Sequence, residues 1–291
     1  MRSPSTFVRT ASPEALFAIS GISQYAGAAI AVTLFQELPP ATVAFFRVAA
    51  GAAFVLALSV RHLRGWTAAD LRAAAIFGVA TALMNLFFYL AIDRLPLGKS
   101  VVLEFIGPIC VAAVLTRSRR NTIALLLAAG GVAILSGVEI GGEPLGIAFI
   151  LGASAMWAAY IVLGRRVAAQ DRGLSGLAVG LVIGSFVILP FGLSGVSEVF
   201  SSGRLLYQCV LVGLLSSAVG YTIDQVVIRR IPIRRFALLL ALLPVTAMIV
   251  GYIALDQRPT PIDLIGAGLV IAGVVTQERD EIKQPLEELP A

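Results

Sequence analysis

Residues 92–108 read IDRLPLGKSVVLEFIGP, and residues 228–244 read IRRIPIRRFALLLALLP. Laid over one another they keep Ile92 on Ile228, Arg94 on Arg230, Pro96 on Pro232 and Pro108 on Pro244, at an offset of 136 residues. The same offset puts Gly130 on Gly266 and Gly137 on Gly273. Each match is weak alone. Two prolines that keep a twelve-residue spacing at the same place in both halves mark an internal repeat.

Both stretches are strongly apolar, and so is the chain around them. Its 291 residues are 58% hydrophobic and only 13% charged, with a mean hydropathy of +0.92. Soluble domains run near ~25% charged residues, so the composition predicts a polytopic membrane protein. Apolar runs of about 20 residues, enough to cross a ~30 Å bilayer core as helix, fall near 15–34, 41–60, 71–92, 97–116, 122–138, 145–164, 174–194, 207–228, 236–254 and 262–277. Proline, glycine and charge punctuate them, as in ELPP (37–40), GGEP (141–144) and QRPTP (257–261). Period-two alternation is absent, which argues against a barrel.

Ten spans put both termini on one side. Of the 22 Lys and Arg residues, seventeen then fall on the terminus side and four opposite, with Arg47 inside a span. Positive charge stays in the cytoplasm, so both termini are expected there, in a bacterial-type inner membrane. The net charge of +5 reads as a topology signal and not as a nucleic-acid patch, because the charges sit in short loops. Residues 1–14 are expected as a cytoplasmic segment, and the run that follows as a retained first span and not a cleaved leader. Residues 15–140 form the first five-span repeat and 141–277 the second. Residues 278–291 form a solvated acidic tail. Five is odd, so the halves insert in opposite orientations, the pattern of secondary transporters that rock about a midplane site.

Few residues offer chemistry. His62 is the only histidine and reads as a solvated loop residue beside Arg61 and Arg64. Cys110 and Cys209 lie in apolar runs and read as small buried hydrophobes. No metal, cofactor or catalytic motif is legible, so an enzyme is not expected. What remains are polar residues inside spans. Glu104 lies about seven residues into the fourth span, roughly 10 Å deep at 1.5 Å per residue. A charge near the membrane centre costs ~2.5–3.5 kcal/mol on insertion scales, so Glu104 is expected to face the bundle interior. Arg47 lies at similar depth, and Asn85 and Tyr89, four residues apart, share one helix face. Two readings stand: a structural Arg–Glu pair that fixes helix register, or a site for a zwitterion or an ion-coupled carboxylate.

Pro108 lacks an N–H, and its ring crowds the carbonyl of Glu104. Pro244 does the same to Leu240. Both prolines are expected to bend their helices around a shared cavity. Asp224, with Tyr221 one turn earlier, lies near the terminus-side end of its span and reads equally as a vestibular, snorkelling residue or a site residue. Gln24 stands one turn from Ser20, and Trp157 and Tyr160 share a face. Gly176, Gly180 and Gly184 recur every fourth residue, which lets helices approach closely.

Ten spans in two repeats, MNLFFYLAIDRLPLG (84–98) running into SVVLEFIGP (100–108), and Arg47 in an apolar FFR context resemble the drug/metabolite transporter superfamily, EamA type. The stretch LEFIGP is similar to the threonine/homoserine exporter group. The resemblance implies an inner-membrane carrier that exports small, amino acid-like metabolites and is driven by protons. It implies Glu104 as the central acid, with Asn85 and Tyr89 beside it. Leu240 stands where the second half would need an acid, so one titrating centre is expected. Export of another metabolite or drug and passive facilitation are the rival expectations. The oligomeric state is not legible.

Overall fold

The computed structural model describes residues 11–60, 63, 65–95, 97–116, 118–135, 143–170, 174–255 and 259–276. Arg61, His62, Arg64, Pro96, Gly137, the first ten residues and the acidic tail lie outside the described residues. Among those described, the chain is all helix, with thirteen α-helices, one 3-10 turn and one π segment. The helices are α1 Pro13–Leu34, α2 Pro40–Ser59, α3 Ala68–Ile92, α4 Leu97–Leu115, α5 Arg119–Leu135, α6 Pro144–Ala169, α7 Ser175–Gly192, α8 Val196–Ser201, α9 Gly203–Val212, α10 Gly220–Arg230, α11 Ile233–Leu239, α12 Leu242–Leu255 and α13 Pro261–Thr276. The π segment, Gly213–Val219, makes α9 and α10 one continuous rod.

Local chemistry sets the boundaries. Proline opens α1, α2, α6 and α13, at the first helical position, where a missing N–H costs nothing. The motifs that end one span therefore also begin the next. Ser12 caps α1 through the amide of Ala15 at 3.2 Å. Thr67 and Asp70 close a reciprocal capping box at the start of α3.

Seven stretches are long and apolar enough to cross a membrane: Pro13–Leu34, Pro40–Ser59, Ala68–Ile92, Pro144–Ala169, Ser175–Ser201, Gly203–Arg230 and Ile233–Val250. Leu103–Leu115 and Leu264–Thr276 are shorter apolar helices. Val114, Phe186 and Ile253 are more than two-thirds exposed, a surface suited to lipid and not to water. Cys209 is buried as expected, but Cys110 is exposed. It shares a face of α4 with Ile106 and Val114, both also exposed, at four-residue spacing, so its helix turns it outward.

Helices touch where side chains are small. A Cβ on Gly78 of α3 would lie 1.8 Å from the carbonyl oxygen of Gly180 on α7. Gly176 abuts Val167 and Gly184 abuts Gly78, so the glycine stripe of α7 packs within the chain. Helix α3 packs on α6, and α9–α10 packs on α1. Likewise α4 packs on α6, and α12 on α1, while α2 meets α7 and α5 meets α13.

Candidate functional site

Where α1, α2, α3, α4, α6, α10 and the α11–α12 junction converge, a cavity of about 80 Å³ opens. A water needs ~10–15 Å³ of such space, so several fit. All nine polar and aromatic residues singled out from the sequence line this cavity: Gln24, Arg47, Asn85, Tyr89, Glu104, Trp157, Tyr160, Tyr221 and Asp224.

Two hydrogen-bonded groups meet there. The first centres on Arg47, which is 8% exposed. Its Nη1 donates to the Tyr89 hydroxyl at 3.2 Å and its Nη2 to the Tyr221 hydroxyl at 3.5 Å. The guanidinium also lies 5.5 Å from the centre of the Tyr89 ring, a cation–π distance. Asn85 Nδ2 donates to the Tyr221 hydroxyl at 2.8 Å and to the carbonyl of Thr81 at 2.7 Å. Arg47 Nε is buried with no partner among the described residues, so its donor capacity is not used up.

The second group centres on Asp224, which is 3% exposed. Its carboxylate accepts from Ser20 Oγ at 3.1 Å and from the Tyr160 hydroxyl at 3.2 Å. Gln24 Nε2 donates to Ser20 Oγ at 3.0 Å. The Tyr160 and Tyr221 rings lie 5.5 Å apart and join the groups. Asp224 is therefore neither vestibular nor snorkelling. Counting residues from a span's end gives depth along one helix, and here α10 crosses the bundle interior, so depth misleads. The π segment that leads into Tyr221 and Asp224 is tied to α1: Ser23 Oγ donates to the Leu215 carbonyl at 2.8 Å, and Ser216 Oγ to the Gln24 carbonyl at 3.1 Å. A π turn that re-aims side chains at a cavity is a recurring use of that geometry.

Glu104 behaves differently from both groups. It lines the cavity, is partly buried, and makes no hydrogen bond or salt bridge among the described residues. Arg47 and Glu104 thus face one cavity with no salt bridge between them among the described residues. Of the two prolines, Pro108 lies inside α4, which runs on to Leu115. Pro244 stands in the first turn of α12, just past a break at Leu240–Ala241. There Leu243 N–H donates to the Leu240 carbonyl at 2.9 Å. Leu240 and Leu243 line the cavity with Met84 and Phe88 as its apolar wall.

Two residues were not singled out. Thr81 anchors Asn85. Ser154 on α6 accepts from the Gly107 amide at 2.8 Å. A hydroxyl one turn before Trp157, on the same face, was the available signal for Ser154.

Comparison with known proteins bears on this arrangement. The threonine/homoserine exporter RhtA of Escherichia coli is 32% identical over 264 residues, which cover 89% of this chain and 89% of that one. This chain belongs to the EamA-like transporter family. The family model itself matches residues 144–276. RhtA of Salmonella typhimurium is also 32% identical, over 261 residues, 88% of this chain and 87% of that one. A probable terminal-alkyne amino-acid exporter of Streptantibioticus cattleyicolor is 26% identical over 132 residues, 45% of this chain and 44% of that one. A solved crystal structure with 17% identity covers 90% of this chain and 95% of its own, at a TM-score of 0.71, and so shares the fold. As an EamA-type transporter, the chain is a multi-pass membrane protein whose work is translocation.

Proposed function

We propose that this chain exports small amino acids across a bacterial-type inner membrane, coupled to protons, by alternating access around the cavity. The observation that carries the reading is the pair of opposite charges, Arg47 and Glu104, that face one cavity with no salt bridge between them among the described residues. An α-amino acid brings a carboxylate and an ammonium of matching sign. Arg47 has an unused donor for the first, and Glu104 is a free acceptor for the second. The threonine/homoserine exporters among its relatives favour threonine and homoserine as substrates.

The inverted repeat is part of the proposal. We read residues 15–140 and 141–277 as two five-helix halves of a ten-span bundle, with both termini cytoplasmic. Exchanging the halves turns the α3–α6 contact into the α10–α1 contact, and α4–α6 into α12–α1. The family match over 144–276 falls within the second half. Alternating access draws support from the cavity's shape. Its lining reaches Val32 and Ile92 near one end of α1 and α3. Towards the other end, buried Phe17 and Phe236 meet edge-on at 5.2 Å, and Arg235 pairs with Glu14 at 2.6 Å.

Export of L-threonine from proteoliposomes, with the pH on each side controlled, tests the reading. An inward-directed proton gradient should accelerate export against a concentration gradient, and an uncoupler should abolish that acceleration. Glu104→Gln should remove the response to the gradient. Gradient-driven export that Glu104→Gln leaves intact would sink the coupling role. Downhill flux that ignores an uncoupler would favour a passive facilitator.

A further inference from the structure

We infer that Ser154 is a positioning residue for Glu104, an inference that rests on Glu104 being the acid of the transport site. Glu104 has no hydrogen bond of its own, so its direction is set by the backbone of α4. That backbone is fixed from α6 by two contacts, one and three residues past the acid. The Phe105 ring meets Trp157 edge-on at 4.8 Å. Two residues on, the Gly107 amide donates to Ser154 Oγ at 2.8 Å. Ser154 and Trp157 are three apart on α6 and share the face turned to α4.

The sequence around Gly107 explains why a hydroxyl is needed. Pro108 has no N–H, and its ring crowds the carbonyl four residues back, which belongs to Glu104. Inside a membrane no water repairs a disturbed helical ladder. Such helices persist where a Ser or Thr of a neighbouring helix satisfies the backbone groups. Ser154, only 4% exposed, accepts from the amide of the residue before the proline and so ties that turn to α6. Glycine at 107 is required for the approach, since a Cβ there would lie 2.1 Å from the Ser154 carbonyl oxygen. A side chain inserted beside a helical ladder sets the local bend. Here that bend lies one turn from Glu104, so Ser154 sets the angle at which the carboxylate meets the cavity.

Two readouts on the full-length chain test this. The first needs no substrate. With Cys110→Ser and Cys209→Ser as background, Glu104→Cys is labelled by a charged methanethiosulfonate, with and without Ser154→Ala. Ser154→Ala should change the labelling rate about fivefold or more. Gly107→Ala, which pushes α4 and α6 apart at the same point, should change it in the same direction. A labelling rate within twofold for both variants overturns the inference. The second readout is L-threonine export at equal protein in proteoliposomes. Ser154→Ala should raise KM about tenfold, the scale of one lost buried hydrogen bond. In the Glu104→Gln background the same substitution should change residual export less than twofold, because the two act through one group. Equal effects in both backgrounds would mean that Ser154 acts on packing and not through Glu104. Wild-type export and coupling in Glu104→Gln would instead defeat the assignment of Glu104, leaving the labelling rates to decide Ser154.

Discussion

Asn85 and Tyr221 stand 136 positions apart and hydrogen-bond, with Asn85 Nδ2 at 2.8 Å from the Tyr221 hydroxyl. That separation equals the offset that aligns IDRLPLGKSVVLEFIGP with IRRIPIRRFALLLALLP. Residues related by a two-fold axis touch only where the axis passes, so the proposed pseudo-symmetry axis runs through this pair. Gln24 and Tyr160 are separated by the same offset, and so are Glu104 and Leu240. All four line the cavity. The proposed symmetric frame would carry unlike side chains at matched positions, giving the cavity one charged pole and one apolar wall. The Tyr221 hydroxyl bridges Asn85 and Arg47, so Tyr221→Phe leaves two buried donors short of a partner. An unsatisfied buried donor costs about 1–3 kcal/mol. KM for export should rise about tenfold or more, with membrane expression unchanged. A KM within twofold of wild type would show the bridge to be incidental.

Arg47 tests whether shape or charge matters at the cationic pole. Its guanidinium reaches two tyrosine hydroxyls and stacks on the Tyr89 ring. A lysine ammonium is a compact point charge that cannot span both hydroxyls and lie over the ring together. Arg47→Lys should therefore lose at least about tenfold in kcat/KM, most of what Arg47→Gln loses. If the lysine variant keeps more than half the wild-type rate, charge alone suffices and the fork geometry is irrelevant.

The membrane class, the all-helical fold and the gathering of the nine singled-out side chains around one cavity were readable in the residues because burial of polarity is costly. A Glu in LEFIGP or an Arg in FFRV has no place on a lipid face, so each points inward wherever its helix lies. Azimuth and partner are another matter. Position along a span says nothing about which neighbour a side chain meets. That is why Asp224, placed near a span end, proves to be deep in the bundle, and why Arg47 and Glu104 do not pair. The exposed face of Cys110 and the amide-to-hydroxyl contact of Gly107 with Ser154 are facts of helix rotation and crossing. The break at Leu240–Ala241 was anticipated only as a bend at Pro244. The proline sits in the following first turn, where its ring is tolerated, and the interruption falls before it.

Crossing points should be the least tolerant positions in the bundle. A methyl on Gly78 would meet the Gly180 backbone at 1.8 Å, whereas one on Gly130 meets nothing within 4 Å. Gly78→Ala must force α3 from α7, and backbone cannot step aside as a side-chain tip can. Overpacking of this kind costs about 1–3 kcal/mol or more. Gly130→Ala should be neutral or stabilise by up to about 1 kcal/mol, through helix propensity. Thermal denaturation in detergent separates the two: Tm falls for the first variant and holds or rises for the second. Equal Tm values would mean that the helices slide to absorb the methyl.

The proposed rocking motion makes a separate demand on Glu14 and Arg235. They join the first turn of α1 to α11 at 2.6 Å, with the arginine side chain 9% and the glutamate 31% exposed. Arg230 adds a hydrogen bond to the Ala11 carbonyl at 2.9 Å. In the proposed cycle they and the Phe17–Phe236 contact close the cavity at the end where α1 begins. If that closure alternates, the pair must break in each cycle, and its strength sets the balance of the two states. Removing Glu14 leaves a mostly buried guanidinium without this partner, at about 1–3 kcal/mol, enough to shift a two-state equilibrium by about tenfold or more. Glu14→Gln should therefore expose the cavity at the terminus end. A cysteine-free chain carrying Phe17→Cys should react faster with an impermeant thiol reagent applied at that side, while export slows. Glu14→Arg combined with Arg235→Glu should restore slow labelling, because the pair is re-formed with its ends exchanged. A single substitution that leaves labelling unchanged would mean that the Glu14–Arg235 pair does not hold this end closed. A double exchange that fails to restore it, while either single variant labels fast, would mean that Glu14 and Arg235 act through different partners.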